Sequence, residues 1–112
     1  QLFFDNYYYY RFANLARKKG ITLPISIGVM PIVKKVHIAN VVKLSGATIP
    51  PKFAALLDKW QDDPDGLNKA GTDYAIEQIR DLVSAGADGI HIYAMNNADV
   101  TLNIYKGIKD LL

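Results

Sequence analysis

Gly89-Ile90-His91-Ile92-Tyr93-Ala94-Met95-Asn96-Asn97 predicts a short buried strand that runs into a polar turn. Side chains alternate between the two faces of a strand. One face therefore carries Ile90 and Ile92, which can pack against a helix. The other face carries Gly89, His91 and Tyr93. A strand with one apolar face and one polar face, ending in asparagines, is typical of the catalytic end of an α/β barrel.

Two other segments predict strands of the same sheet. Residues 1–5 are aromatic and apolar, and residues 24–30 alternate Ile25, Ile27 and Val29 with Ser26, Gly28 and Met30. With residues 89–94 this makes three strands. Helices are predicted from the N-cap Asn6 to about Lys19, over 33–44, from Pro50-Pro51 through Trp60, over 67–84, and from 98 to the end.

The first helix has an apolar stripe at helical spacing. Gly20 and Gly86 are predicted to end the first and the long helix, and Asn97 to cap the last. The stripe consists of Tyr8, Phe12, Leu15 and Ala16.

The predicted order of elements is β-α-β-α-α-α-β-α, which indicates parallel strands joined by right-handed helical crossovers. Three parallel strands leave two open edges and are too few to close a barrel. We therefore expect further strands, either from additional sequence or from another copy of the chain. The chain lacks an initiator Met and begins with strand-like residues. We therefore expect a piece of a longer protein.

Composition narrows the class of protein. The 112 residues are half hydrophobic and include no cysteine, so disulfides and thiolate metal sites are excluded. The net charge of +2 gives no argument for a nucleic-acid partner or an anionic membrane. The sequence has no signal-peptide pattern and no apolar run near the ~20 residues that span a bilayer. We expect a cytoplasmic location.

Sequence patterns alone offer one weak site signal. His37 and His91 lie far apart without carboxylates at ligand spacing, and no Gly-rich phosphate loop is present. A strand histidine such as His91 is more often a core residue than a catalyst. The convergent candidates indicate only an α/β-barrel ligand site. They are Gln1, Asp5, Gly28, Tyr93 and Asn96. A turn-associated carboxylate cluster is predicted to be a solvated loop. It consists of Asp58, Asp62, Asp63 and Asp65.

Several motifs, in order and at consistent spacing, resemble methylenetetrahydrofolate reductases. Gln1-Leu2-Phe3-Phe4-Asp5 is similar to the family's Gln-Phe-Phe-Phe-Asp strand. Residues 24–32 resemble its Pro-Ile-x-Pro-Gly-Ile-Met-Pro-Ile segment, and 46–50 its Gly-Ala-x-Ile-Pro. His91-Ile92-Tyr93-Ala94-Met95-Asn96 resembles its His-Phe-Tyr-Thr-Leu-Asn strand. The resemblance implies the last three strand–helix units of an eight-stranded, FAD-binding TIM barrel. Residues 1–112 would then form one partial domain.

The resemblance also implies a reaction. The family uses NAD(P)H and a flavin to reduce 5,10-methylenetetrahydrofolate to 5-methyltetrahydrofolate, a step of one-carbon metabolism and methionine biosynthesis. By position, Gln1 matches a glutamine that hydrogen-bonds the folate pterin, and Tyr93 and Met95 match positions that contact the folate substrate or the flavin. His91 matches a histidine near the flavin. No catalytic residue is assigned. The family's catalytic acid and most FAD contacts belong to earlier strands, so the fragment alone is expected to be inactive.

Four positions depart from the family's pattern, and one of them is Ile27, which replaces the proline before Gly28. Asn97 stands where many members have an arginine that contacts folate. Val41 replaces a phenylalanine of some members, and His37 replaces a glutamine. Each of the other three changes removes a polar or aromatic contact, which affects the expected folate specificity.

Two other interpretations stay open. One is a non-catalytic α/β module that self-associates through its open edges, giving a homo-oligomer. The other, with less support, is a barrel fragment that binds phosphate at Gly28, Asn96 and the start of the last helix.

Overall fold

The computed structural model describes residues 4–37, 50–93 and 97–111. The strands are β1 (Ser26–Val29) and β2 (Gly89–Ile92). The helices are α1 (Asn6–Lys18), α2 (Pro51–Trp60), α3 (Pro64–Ser84) and α4 (Ala98–Ile108), followed by a 3-10 turn at Lys109–Leu111. Residues 35–37 are also helical and fall within the helix predicted over 33–44. The first two residues of that prediction are not helical, and residues 38–44 lie outside the described part of the chain.

The two strands pair in parallel, as the order of elements predicted. Ser26 lies opposite Gly89, and Gly28 lies opposite His91. The connection between them includes α2 and α3. This is the crossover that parallel pairing requires.

The third predicted strand, residues 1–5, is not observed. Residues 1–3 lie outside the described part of the chain, and Phe4 and Asp5 form a bend. The Asp5 carboxylate accepts a 2.9 Å hydrogen bond from the Tyr7 amide, which makes Asp5 the N-cap of α1 in place of the predicted Asn6. This cap turns the chain into the helix at residues where the prediction had a strand.

The apolar face of β2 packs as alternation predicted. Ile90 and Ile92 pack against the main core, which β1 joins through Ile27 and Val29. Val33, which follows β1, is also buried in this cluster. The helices contribute its other buried aliphatic side chains, and their burial gives the sheet its helix-covered face. These residues are Ala75, Ile79 and Leu82 of α3 and Val100, Ile104 and Ile108 of α4.

A second core cluster lies beside the first and is built around Phe53 of α2. The Phe53 ring stacks on Tyr74 with a centroid distance of 4.1 Å and contacts Phe4 at 5.0 Å. The Tyr74 hydroxyl donates a 2.6 Å hydrogen bond to the Phe4 carbonyl. Gly71 lets α3 approach the preceding loop, because a Cβ there would overlap the Ile32 carbonyl oxygen.

The apolar stripe predicted for α1 was wrong for three of its four members. Ala16 is buried, but Tyr8, Phe12 and Leu15 are exposed. Tyr9 and Tyr10 pack against the main core in their place. The Tyr10 hydroxyl donates a 2.7 Å hydrogen bond to Asp81 on α3, and this bond fixes which side of α1 faces the core.

The predicted helix ends are largely confirmed. Gly20 and Gly86 follow α1 and α3 with φ of 82° and 91°, the left-handed region that glycine favours. α2 begins at Pro51, as predicted. α3 begins three residues earlier than predicted, because Asp63 caps it through the Gly66 amide. Within the described ranges, none of the helices has the length and apolar character that crossing a bilayer demands.

Candidate functional site

His91 and Tyr93 lie together at the carboxyl end of β2. Their rings are in edge-to-face contact, with centroids 4.9 Å apart and planes at 73°. His91 is exposed and Tyr93 is half-buried. The structure therefore contradicts the core interpretation of His91, and it confirms that the two side chains share a face.

The backbone of β1 positions this aromatic pair. Gly28 lies opposite His91 in the parallel register, and the Tyr93 amide donates a 3.0 Å hydrogen bond to the Val29 carbonyl. Gly28 is buried, so β1 brings a residue without a side chain next to the histidine. The pair and the glycine thus meet where two parallel strands end, the edge at which α/β proteins usually place ligands.

Asn97 begins α4 as its N-cap, as predicted. Its Oδ1 accepts a 3.1 Å hydrogen bond from the Val100 amide, and its carbonyl accepts one from the Thr101 hydroxyl. One of the free amides at this helix start is therefore already satisfied by the protein. That arrangement reduces the capacity of α4 to hold a phosphate, the third interpretation of the sequence.

His37 lies apart from the aromatic pair in sequence and is half-buried. Burial, and then the positive charge of Lys34, lower the pKa of the imidazole. Its Nδ1 is buried and makes no hydrogen bond to any described residue. A neutral imidazole can both donate and accept a hydrogen bond, as the amide of a glutamine can.

The structure brings together three of the predicted site residues, His91, Tyr93 and Gly28. Asp5 serves instead as the cap of α1. Other predicted positions lie outside the described residues. These are Gln1, Val41, Met95 and Asn96.

Three members of the turn-associated carboxylate cluster bind neighbouring groups of the protein. Asp62 pairs with Lys35 at 3.0 Å, Asp63 caps α3, and Asp58 accepts a hydrogen bond from Gln61. Within residues 4–37, 50–93 and 97–111, no group of three or more histidine, aspartate or glutamate side chains could hold a metal ion.

One polar cluster escaped the sequence analysis. Asp81 accepts hydrogen bonds from the Tyr10 hydroxyl and from the Asn6 amide at 2.8 Å. These two bonds lower the pKa of Asp81. Burial, followed by the bond to Asp81, raises the pKa of Tyr10 to about 12. The partners are separated by 71 and 75 positions, so no local pattern could have identified them.

Comparisons with known proteins agree with the motifs. The family model described as "Methylenetetrahydrofolate reductase" matches residues 1–109. A probable methylenetetrahydrofolate reductase (NADPH) of Caenorhabditis elegans is 37% identical over 109 residues, which are 96% of this chain and 16% of that protein. Methylenetetrahydrofolate reductase 1 of Schizosaccharomyces pombe is 32% identical over 96 residues, covering 86% of this chain and 16% of its own length.

A bacterial relative gives the same picture. The 5,10-methylenetetrahydrofolate reductase of Escherichia coli is 26% identical over 104 residues, 93% of this chain and 35% of that protein. The chain thus spans about a sixth of the worm and fission yeast proteins and about a third of the bacterial one. Because the family model covers nearly all of its residues, this chain belongs to the methylenetetrahydrofolate reductase family.

Proposed function

We propose that residues 1–112 form the C-terminal portion of a flavin-binding (βα)8 barrel. Its enzyme would reduce 5,10-methylenetetrahydrofolate to 5-methyltetrahydrofolate with NAD(P)H, in the cytoplasm. The observation that carries the proposal is the aromatic pair His91–Tyr93 at the carboxyl end of a parallel strand, in a chain of this family. One-carbon metabolism and methionine biosynthesis would be the setting of this activity.

The two-stranded sheet supports the barrel part of the proposal. Within the described ranges the sheet has two strands, which pack one face against helices and leave His91 exposed on the other, and two parallel strands cannot close on themselves. The outer side of α4 also exposes Leu102 and Tyr105, each at 50%. Further strand–helix units on either side would cover these edges and side chains.

The residues present fit a planar cofactor and substrate. An edge-to-face pair of an imidazole and a phenol offers apolar surface together with hydrogen-bonding edges, which suit a flavin or pterin ring. FAD, when bound, would take up hydride from the nicotinamide and deliver it to the folate. Within this scheme Tyr93, Met95 and Gln1 bind and orient folate, and His91 lies at the flavin.

The test is flavin binding by a longer protein that contains this chain together with the preceding strands. We expect purified protein to show flavin absorbance, to release FAD on denaturation and to oxidise NAD(P)H with an electron acceptor. The 112-residue chain alone should do none of these, because it lacks the earlier strands. A longer protein that folds but contains no flavin would refute the proposal.

A second candidate function is a non-catalytic module that self-associates. The open edges of the sheet and the exposed apolar side chains on α1 and α4 favour it. Light scattering of the 112-residue chain tests this second candidate, since self-association requires an oligomer. A chain that stays monomeric at high concentration would exclude it.

A further inference from the structure

The chain contains two Asp–Gly pairs, Asp65–Gly66 and Asp88–Gly89. An aspartate before a glycine is prone to isomerise, because glycine has no side chain to keep its amide nitrogen away from the preceding carboxyl group. The two pairs differ in how the surrounding protein holds their carboxylates and amides. The structure therefore decides which of them can react.

The Asp88 carboxylate is held from two directions. Its Oδ2 accepts a 3.0 Å hydrogen bond from Nη2 of Arg17 and another of 3.0 Å from the Ile25 amide. Gly89 is the first residue of β2 and lies opposite Ser26 in the parallel register, so the sheet fixes its backbone. Rotation of the Asp88 carboxyl group towards the Gly89 amide would break both hydrogen bonds, and this pair is therefore protected.

The Asp65 carboxylate is exposed in the first turn of α3. Among the described residues it has no partner in an ion pair or a hydrogen bond. The first amides of a helix have no acceptor within the helix, and the Gly66 amide instead donates a 3.1 Å hydrogen bond to Oδ1 of Asp63. Helix ends open locally at a low cost in free energy. Opening of this one exposed cap leaves the Gly66 amide free beside the Asp65 carboxyl group.

Packing requires glycine at this position. A Cβ on Gly66 would overlap the indole ring of Trp60 and would lie 2.9 Å from Oδ2 of Asp63. Asp65 in turn places a negative charge at the positive end of the helix dipole. Local structure thus favours both members of the pair, and their combination is chemically reactive.

We propose that Asp65 is a site of spontaneous modification, at which the chain converts to isoaspartate. The Gly66 amide nitrogen attacks Cγ of Asp65, and a C–N bond forms. The hydroxyl group of the carboxyl leaves, and with the amide hydrogen it forms one molecule of water. Water then opens the cyclic imide between the main-chain carbonyl carbon of Asp65 and the Gly66 nitrogen. The composition of the chain is unchanged, and water is the only other reactant.

Isoaspartate at this position should disturb the start of α3. It adds one carbon to the main chain before Gly66, which moves the Gly66 amide away from the Asp63 cap and its Cα away from Trp60. Trp60 is the only tryptophan of the chain, so its fluorescence should change in proportion to the isoaspartate formed. This assignment holds whether or not the longer protein is a reductase.

The test is incubation of the purified 112-residue chain at physiological temperature and pH. Digestion and mass spectrometry, with fragmentation that distinguishes aspartate from isoaspartate, then locate the product. We expect isoaspartate to accumulate at residue 65 and not at residue 88. Asp65→Glu keeps the charge but requires a larger ring, so it should abolish the signal. No isoaspartate at residue 65, or equal accumulation at residue 88, would overturn the proposal.

Two variants of Asp63 test the role of the cap. Asp63→Ala frees the Gly66 amide, and isoaspartate at residue 65 should form about fivefold faster. Asp63→Ser retains a side-chain acceptor and should react at nearly the unaltered rate. Circular dichroism checks that both variants fold. A folded Asp63→Ala chain that reacts no faster would refute the role of the cap.

A variant of Arg17 tests why the second pair is protected. Arg17→Ala releases the Asp88 carboxylate from the guanidinium, so isoaspartate should now also form at residue 88. The rate at residue 65 should stay the same, because Arg17 makes no contact there. Residue 88 unmodified in this variant would contradict the proposed protection.

Discussion

Arg17 and Asp88 lie 71 positions apart, and Nη2 of Arg17 donates a 3.0 Å hydrogen bond to Oδ2 of Asp88. The same carboxylate oxygen accepts a 3.0 Å hydrogen bond from the Ile25 amide. Nη1 of Arg17 donates to the carbonyls of Ile21 and Leu23. One guanidinium and one carboxylate therefore tie the loop between α1 and β1 to the residue that precedes β2.

This junction should contribute measurably to stability. Replacing Asp88 by Ala removes two hydrogen bonds, and we expect a loss of about 1 to 2 kcal/mol in the free energy of unfolding by urea denaturation. The charges are partly exposed, which keeps the loss small. Asp62→Ala is the matched control, because its pair with Lys35 is 82% and 64% exposed. Its loss should stay below about 0.5 kcal/mol. Equal losses in both variants would contradict the assignment.

Gly71 should resist substitution although it lies inside a helix. Alanine is the better helix former, so Gly71→Ala would stabilise an isolated α3. In the folded chain the added Cβ meets the Ile32 carbonyl oxygen, and we expect a loss of about 2 to 3 kcal/mol. Gly89→Ala is the control, because nothing lies within 4 Å of its added Cβ. Thermal denaturation of both variants checks the prediction, which fails if Gly71→Ala is as stable as the unaltered chain.

The Tyr10–Asp81 bond should make stability depend on alkaline pH. The folded chain raises the pKa of Tyr10 from 10.0 to about 12, so the folded state holds this proton more tightly than the unfolded state. The resulting stability is complete below pH 10 and is lost as pH rises towards 12. Tyr10→Phe should lose about 1 kcal/mol at neutral pH and flatten this alkaline decline.

Tyr8→Phe is the control for the alkaline titration, because the exposed Tyr8 hydroxyl makes no hydrogen bond to a described residue. Its profile of unfolding free energy against pH should match that of the unaltered chain.

The lowered pKa of Asp81 makes stability depend on acidic pH as well. The stability that this carboxylate contributes to the folded chain is present above the ordinary pKa of an aspartate. It is lost as pH falls through the lowered pKa of the folded state.

Asn97 should stabilise α4 as its N-cap. Asn97→Ala removes the acceptor for the Val100 amide, with an expected loss of about 1 kcal/mol. Asn97→Ser should retain most of the stability, because a serine hydroxyl can cap the helix. Asn97→Arg introduces the residue that the resemblance leads us to expect at this position, and it should lose the cap as Ala does. Urea denaturation of the three variants tests this order, and equal stability of Ala and Ser would contradict it.

The proposed folate role of Tyr93 is testable in the longer, flavin-binding protein. Tyr93→Ala removes one ring of the pair with His91, and we expect the KM for the folate to rise about tenfold while flavin content is unchanged. Tyr105→Ala, at an exposed position of α4, should leave both quantities unchanged. Loss of flavin together with folate binding would assign Tyr93 to the cofactor or to the fold instead.

Local sequence was sufficient to predict the faces of β2 and most of the helix ends. The alternation of Ile90 and Ile92 with His91 and Tyr93 predicted which side chains share a face of β2. Gly20, Gly86, Pro51 and Asn97 marked helix ends, because their backbone preferences or side-chain acceptors act within a few residues. The motif order also indicated the family.

Tertiary structure decided what depends on distant residues. Tyr8, Phe12 and Leu15 follow helical spacing, whereas Tyr9 and Tyr10 are neighbours in sequence. Both sets offer α1 a large side chain to bury, so local sequence does not decide between them. The choice followed from Asp81 on α3, which accepts the Tyr10 hydroxyl. His91 could be a core residue or an exposed one, and the pairing with β1 left it exposed beside Tyr93. The sequence by itself therefore determined the family and most of the elements, but not the strand predicted over residues 1–5. Long-range packing and hydrogen bonds determined which faces those elements bury.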